Sequence, residues 1–464
     1  MRRRGAWALL LAACTVSGCA TQDKPKPKAA PIRINLDPYP STYHPYPGAI
    51  TVIRGATVFD GEGGRIDNGT VVLANGVVQA VGGADVPSPN GAYVIDAQGK
   101  YVTPGVIDNH SHLGDYPSPG VESLSDGNEA TGPVRPEVWA EHSVWPQDPG
   151  FSRALINGGI TTLQILPGSA NLFGGRSVVL KNVPARTMQG MKFPGAPYGL
   201  KMACGENPKR NYGGKGGPGT RMGNIAVARA TWIRAQAYKR KWDKYERQGG
   251  DMPERDLAME TLRGVLAGQI LVHNHCYRAD EMALMIDMSH EFGYKISAFH
   301  HAVEAYKIAD LLAKEGICAS MWADWYGFKM ESYDAIQENI PLVHNAGACA
   351  IVHSDDANGI QRLYQEAAKA LADGRRIGIN ISDEVAFTWL SMNPAKSLGI
   401  FDKTGSLKPG KMADVVLWNG NPFSNYTRPE RVWIDGALMF DANNPQRRPV
   451  SDFELGQPGE GDAK

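Results

Sequence analysis

The chain has 464 residues, 42% of them hydrophobic, with Lys+Arg and Asp+Glu both at 48. That is enough apolar material for one large or two smaller cored domains, and the lack of a basic excess gives no support to nucleic-acid binding. The 53 glycines suit a loop-rich α/β chain better than a helical bundle.

At the N-terminus, Arg2, Arg3 and Arg4 precede an apolar run of 11 residues, Ala6 to Val16. A bilayer span needs about 20, so the run reads as the core of an export signal. Val16-Ser17-Gly18 lead into Cys19, and this resembles a bacterial lipobox. The resemblance implies a signal peptide over 1–18 and a lipid on the Cys19 thiol. The expected localisation is therefore exported, lipid-anchored through Cys19, on the outer membrane facing the periplasm. An ordinary secretory signal cleaved nearby is the alternative. Loss of 1–18 removes three arginines and no acids, leaving 45 basic side chains (48 less 3) against 48 acidic ones. Residues 19–48 read as a Pro-rich tether, with seven prolines between Gln22 and Pro47. Tyr39, Tyr43 and Tyr46 leave open a strap packed on the folded surface for its second half.

From Ile50 to Tyr101 the text is strand and turn: ITVIRGATVFDG, GTVVLANGVVQAVGG and AYVIDAQGKYV. GSLKPGKMADVVLWNG and RVWIDGALMF, near the other end, have the same character. A small β-sandwich domain built from 49–101 plus 404–450 accounts for both. Between them, over 102–403, apolar runs alternate with helical stretches, as βα units do. Eight strands are expected, at about 102–109, 159–166, 177–182, 198–204, 269–274, 295–301, 317–323 and 349–354. Helices are expected at 303–316 and 333–347. The count predicts an α/β fold, a (β/α)8 TIM barrel. An insertion at about 207–268 opens with the Gly-rich NPKRNYGGKGGPGTR and continues as a long polar helix. It lacks the spacing of a phosphate-binding loop and reads as a lid or pocket wall. Cys204, Cys276, Cys318 and Cys349 show no C-x-x-C spacing; free buried thiols are expected, although export permits disulfides.

The titratable residues gather at strand ends. His110 and His112 close the first strand; residues i and i+2 share a face, so both imidazoles point toward the C-terminal mouth, where barrel active sites lie. Lys201 lies in the fourth strand. His273 ends the fifth, His301 the sixth and Asp355 the eighth. Any one of them is more simply a hydrogen-bonded structural group, but the conjunction is not. Imidazole and carboxylate suit Zn²⁺, Fe²⁺, Mn²⁺ or Co²⁺. On strand alternation, His300 and His301 do not both face inward, and His301 is chosen. His273 is preferred to His275, which is left near the metal or the substrate. His353 is expected to face away. His44, His142, His290 and His344 receive no role.

PGVIDNHSH, VHNH, FHH, HSDD and the tail NPAKSLGIFDKTGSLKPGKMADVVLW together resemble the amidohydrolase superfamily, from about Ile50 to Phe440. GGRSVVLKN, GLKMACGENPKR and HAVEAYKIADLLAK resemble its imidazolonepropionase-related group, which includes dipeptidases. The resemblance implies two divalent metals, expected to be zinc. His110, His112 and Asp355 would hold one, and His273 and His301 the other. A bridging carbamylated lysine would be Lys201, with Glu206 as its rival. Asp355 would be the catalytic acid and base. The implied activity is metal-dependent hydrolysis of an amide, peptide or cyclic amide C–N bond. The implied partner is a small molecule or dipeptide, and homo-oligomerisation is left open. A deaminase of the same fold usually has a glutamate near the fifth-strand histidine; here His275 stands two past His273. A lipid-anchored binding protein that lost catalysis would be expected to have lost ligands. Lys209 and Arg210 are candidates for binding a carboxylate; Tyr277, Trp322 and Trp325 are candidates for lining the pocket.

Overall fold

A computed structural model of the chain describes residues 32–444 and 446. The expected signal peptide, Cys19 and the first part of the tether lie outside the described residues. The strands fall into two sheets of eight. β1 (Thr51–Phe59), β2 (Arg65–Ala74), β3 (Val77–Gly82), β4 (Tyr93–Asp96) and β5 (Tyr101–Pro104) come from the first part of the chain. They join β14 (Val415–Trp418), β15 (Pro429–Ile434) and β16 (Ala437–Asp441) from the last part. The order is β16-β15-β14-β5-β1-β2-β3, with β4 beside β1. Ile53, Val58, Val71, Leu73, Val102, Val415, Leu417 and Trp433 form its core. Both ends of the chain therefore do build one sheet.

The second sheet is the barrel: β6 (Val106–Ser111), β7 (Ile160–Ile165), β8 (Phe173–Lys181), β9 (Gly199–Ala203), β10 (Leu271–His275), β11 (Ile296–His300), β12 (Cys318–Met321) and β13 (Cys349–Val352), in that order. β6, β7, β8 and β9 are buried along their whole length, as expected of strands covered on both faces. Two expectations need correction. The first predicted strand is two: 101–104 pairs with β1 and β14, and 106–111 enters the barrel. Gly105 makes the joint, because a Cβ there would lie 2.0 Å from the Thr161 Oγ1. The third strand is longer than expected and antiparallel to both neighbours. Only 166–172 link β7 to β8, too short for the helical crossover that a parallel strand requires.

β6 and β13 do not pair as strands. Instead, Asp355 N–H donates to the His110 carbonyl at 2.9 Å, and Ser354 Oγ donates to Asp108 Oδ2. One backbone bond and one side-chain bond thus close the barrel beside the cluster of histidines.

Helices cover the barrel. α1 (Pro149–Gly158) is capped by Asp148 and ends at left-handed Gly159. The insertion contains α2 (Glu206–Tyr212), α3 (Arg221–Gln248) and α4 (Leu257–Leu266). α3 is polar overall but buries Ala228, Trp232, Ala235 and Trp242 along one stripe. Trp232 stacks on Tyr294 at 4.4 Å between ring centroids. α5 (Ala279–Phe292) follows β10. The helix expected at 303–316 is a short 3-10 turn and α6 (Ala309–Glu315); that expected at 333–347 shrinks to α7 (Asn339–Asn345). α8 (Leu363–Arg376) follows β13.

The thiols are not free: Cys204 is bonded to Cys276 and Cys318 to Cys349. Neighbouring parallel strands bring each pair together, 72 and 31 residues apart in sequence. The first bond ties the ends of β9 and β10 just past Lys201 and His275. The second half of the expected tether is a strap. Asp37 pairs with Lys192 at 2.8 Å, the Arg176 guanidinium donates to the Leu36 carbonyl at 2.7 Å, and Tyr43 OH donates to Asp435 at 2.5 Å.

That strap ends on a buried ion cluster. Lys181 of β8 lies 3.1 Å from Asp414 and 2.8 Å from Asp435. Barrel, β-sheet and strap meet there. Lys181→Met would leave two buried carboxylates without their cation, a loss of about 3–5 kcal/mol. We expect the variant to melt well below the wild type in a calorimetric scan; an unchanged melting temperature would show that the cluster does not join the parts.

Candidate metal centre

The C-terminal ends of β6, β9, β10, β11 and β13 converge. Register places Lys201 beside His273, and His275 beside His300. On β10, alternation works as expected: His273 and His275 share the inner face, and both are buried. At two positions alternation is broken. His301 has φ 57° and Asp355 has φ 64°, a left-handed conformation that costs a non-glycine residue roughly 1–2 kcal/mol. The turn at His301 sends both His300 and His301 inward, against the expectation that only one of them would face the cluster. His353 does not face away: its Nε2 lies 2.7 Å from His301 Nδ1.

One atom sits at the centre of the cluster. Asp355 Oδ1 lies 3.1 Å from His110 Nε2, 3.2 Å from His112 Nε2 and 3.6 Å from His301 Nε2. These rings come from β6, the residue just past it, and the end of β11. Their other nitrogens are held from behind. His110 Nδ1 lies 2.8 Å from His300 Nδ1, His112 Nδ1 lies 2.8 Å from the Leu166 carbonyl, and His301 Nδ1 is held by His353. Such outer contacts fix the tautomer and direction of a ligating imidazole. Trp322 stacks on His301 at 4.3 Å and donates from Nε1 to the Ser354 carbonyl at 3.1 Å.

Several inward nitrogens have nothing to bond. His110 Nε2, His273 Nε2, both nitrogens of His275 and His353 Nδ1 are buried without a hydrogen-bond partner. Buried polar atoms are normally satisfied. Here the unsatisfied atoms belong to rings packed against one another in a single cluster, and His110 Nε2 approaches Asp355 without hydrogen-bond geometry. This donor set, imidazole nitrogens around a carboxylate, fits a divalent metal. His110, His112 and Asp355 form one metal-sized group, and His110, His301 and His353 another.

The charge states agree. Burial lowers the pKa of His273 to about 3 and that of His353 to about 4. It also holds His110, His275, His300 and His301 well below the usual imidazole value, with further help at His110 from Lys201. These rings are neutral at pH 7 and keep a lone pair to donate. Burial pushes Asp355 up, but His301, His112 and His353 outweigh it and hold the carboxyl well below the carboxylate range. Lys201 is fully enclosed; burial lowers it to about 7, and its Nζ donates to the Pro167 carbonyl at 3.0 Å.

The remaining expected residues divide. Lys201 lies within electrostatic reach of the imidazoles and Asp355. Its rival Glu206 lies farther out, at the start of α2, where its N–H donates to Glu331 at 2.9 Å. His273 is deeper than the Asp355 group, and its Nδ1 is engaged by His300 Nε2 at 2.9 Å. Tyr277 and Trp322 are buried beside His301, whereas Trp325 and Arg210 are exposed and Lys209 is half-buried. Sequence reasoning missed Asp108. It is fully buried, receives bonds from Ser354 Oγ and the His110 N–H, and is raised to about 7 by burial. Its signal was an acid in an apolar strand, two residues before the first histidine.

Comparison with known proteins follows the same lines. The amidohydrolase tasK of Hapsidospora irregularis is 32% identical over 433 residues, which cover 85% of this chain and 43% of that protein. This chain thus spans less than half the length of that relative. An amidohydrolase from Thermotoga maritima, known from a crystal structure, is 36% identical with a TM-score of 0.78. That match covers 84% of this chain and all of the other. A dihydroorotase of Trichlorobacter lovleyi is 44% identical over 75 residues, 16% of this chain and 17% of its own length. The Amidohydrolase family model matches residues 101–447, from the last strand before the barrel through the C-terminal strands. The chain belongs to the amidohydrolase family.

Proposed function

We propose that the chain is a metal-dependent hydrolase of an amide, peptide or cyclic-amide C–N bond. The observation that carries this is the approach of three imidazole Nε2 atoms to the ionised Asp355, in a cluster where other buried ring nitrogens lack hydrogen-bond partners. In this reading His110, His112, His301 and Asp355 would hold the divalent metal, with Lys201, once carbamylated, as a further ligand. From β10 we take His275 rather than His273: both its nitrogens are free, its ring lies 4.9 Å from His301, and His273 is already bonded to His300. Lys201, lowered to about 7, offers a neutral amine that can take up CO₂ and become an anion with two oxygens.

A bound divalent ion supplies Lewis acidity toward the substrate carbonyl and lowers the pKa of an associated water towards about 7. The chain's own residues do the rest. Asp355, held at its left-handed turn by the Asp108–Ser354 bonds, accepts the water proton at a carboxylate oxygen and passes it to the leaving nitrogen. Trp322 fixes the plane of His301 and closes one wall against water. The buried neutral imidazoles add no positive charge of their own.

The finer reading is an enzyme of the imidazolonepropionase-related, dipeptidase-like group acting on a small molecule or dipeptide. The short match to a dihydroorotase keeps cyclic amides in the panel. Two disulfides fit an exported chain, in line with the lipobox and a lipid anchor at Cys19.

The test is a screen of dipeptides and cyclic amides with metal-loaded protein. We expect turnover by the wild type and a fall of at least about 100-fold in His110→Ala and Asp355→Ala, with melting curves that show folded chains. Normal turnover in either variant would sink the site. Stability should also depend on pH. The six buried imidazoles have folded pKa values below their unfolded ones, so the unfolded chain binds more protons below about 6.5. Asp108 and Asp115 shift strongly the opposite way, and Asp148, Glu331, Glu366, Asp373 and Asp435 do so more weakly, against six strong imidazole shifts. Metal-stripped protein should therefore melt at steadily lower temperature from about pH 6.5 towards 4, and a flat profile would contradict the neutral-imidazole account.

A further inference from the structure

Lys329 lies in the loop 322–338 between β12 and α7 and is half-buried at the mouth. Its Nζ donates to Asn207 Oδ1 at 2.8 Å and to Tyr277 OH at 3.3 Å. Both acceptors are neutral. The nearby carboxylates are otherwise placed: Glu331 is bonded to Arg221 and to the Glu206 N–H, and Glu206 acts on Lys329 only from beyond ion-pair distance. Among the described residues, no carboxylate pairs with this ammonium. A half-buried cation without a counter-ion in contact is costly; Glu206 and Arg210 both act on it from farther off, with opposite sign. An ammonium held at the mouth by two neutral acceptors, with no carboxylate in contact, marks a place for an anion.

The position relates that place to the metal centre. Nζ lies 5.2 Å from the Tyr277 ring centroid, and the same ring lies 4.8 Å from His275 and 6.0 Å from His301. One aromatic ring separates the cation from the ligand histidines. A substrate whose scissile carbonyl is at the metal centre can therefore reach Lys329 with a carboxylate a few bonds away.

Resting on the hydrolase reading above, we propose that Lys329 is a specificity-determining residue and that the substrates are amides of amino acids with a free α-carboxylate on the leaving-group side. Tyr277 and Asn207 hold the ammonium in place for that carboxylate, and Arg210 adds positive potential from the rim. Neutral lactams and side-chain amides are the poorer substrates.

The test uses metal-loaded full-length protein and a set of dipeptides and N-acyl amino acids, each offered as the free acid and as its C-terminal carboxamide. We expect the wild type to prefer the acids. In Lys329→Met, KM for the acids should rise about 10- to 100-fold, the effect of one lost charge-assisted contact, with little change for the carboxamides. Lys329→Arg should restore much of the preference, which a loop-anchoring role alone would not produce. Equal use of acids and carboxamides by the wild type, or a preference that survives in Lys329→Met, overturns this proposal and leaves the hydrolase reading standing. Cleavage of neither form of any compound overturns both.

Discussion

Six buried neutral imidazoles clustered beside one ionised carboxylate are the constraint on which the rest depends. Each ring is taken out of water, and each has a nitrogen lone pair that must be used. Some are used inside the cluster, His300 by His110 and His273, and His353 by His301. His110 and His301 turn their Nε2 atoms toward Asp355, and the remaining ring nitrogens of His273, His275 and His353 have no partner. A packed core would have filled the cluster's place with aliphatic side chains. A cluster of this kind is stable only if something electron-poor completes it, which is why the geometry reads as a metal centre and not as a knot of structural histidines.

The fold is arranged to hold that cluster still. β6 and β13 are not paired, and the seam between them is closed by Asp108, Ser354 and the Asp355 N–H bonded to the His110 carbonyl. The same few atoms close the barrel and aim the acid. The Cys204–Cys276 bond does similar work one strand pair away. At the other side of the molecule, Lys181, Asp414, Asp435 and Tyr43 lock the barrel to the β-sheet and to the strap. The mouth is tied by the disulfide, and the loop bearing Lys329 is held over it by ion pairs of Glu331 with Arg221 and of Asp334 with Lys307.

Much of this was legible in the sequence, and the reasons differ by element. His110 and His112 could be read because a strand repeats every two residues and the histidines follow its apolar run. Both ends of the chain carried strand-and-turn text, so a shared β-sheet followed from it. What could not be read were departures from the repeat. Left-handed turns at His301 and Asp355 rotate neighbouring side chains, so the alternation rule hid His300 and His353. The antiparallel β8 was hidden because its apolar text is the same in either direction, and only the short link before it gives the direction away. The disulfides were missed because cysteines 31 and 72 residues apart become neighbours only through strand register. Lys329 carries no motif at all; its interest lies in what fails to surround it.

The most direct test of the account is elemental analysis of the purified protein, with anomalous X-ray scattering to locate any ion in the crystal. The account predicts about two divalent metals per chain, lying among His110, His112, Lys201, His275, His301 and Asp355. Protein that binds no divalent metal under saturating conditions, or an ion found away from Asp355, would contradict it.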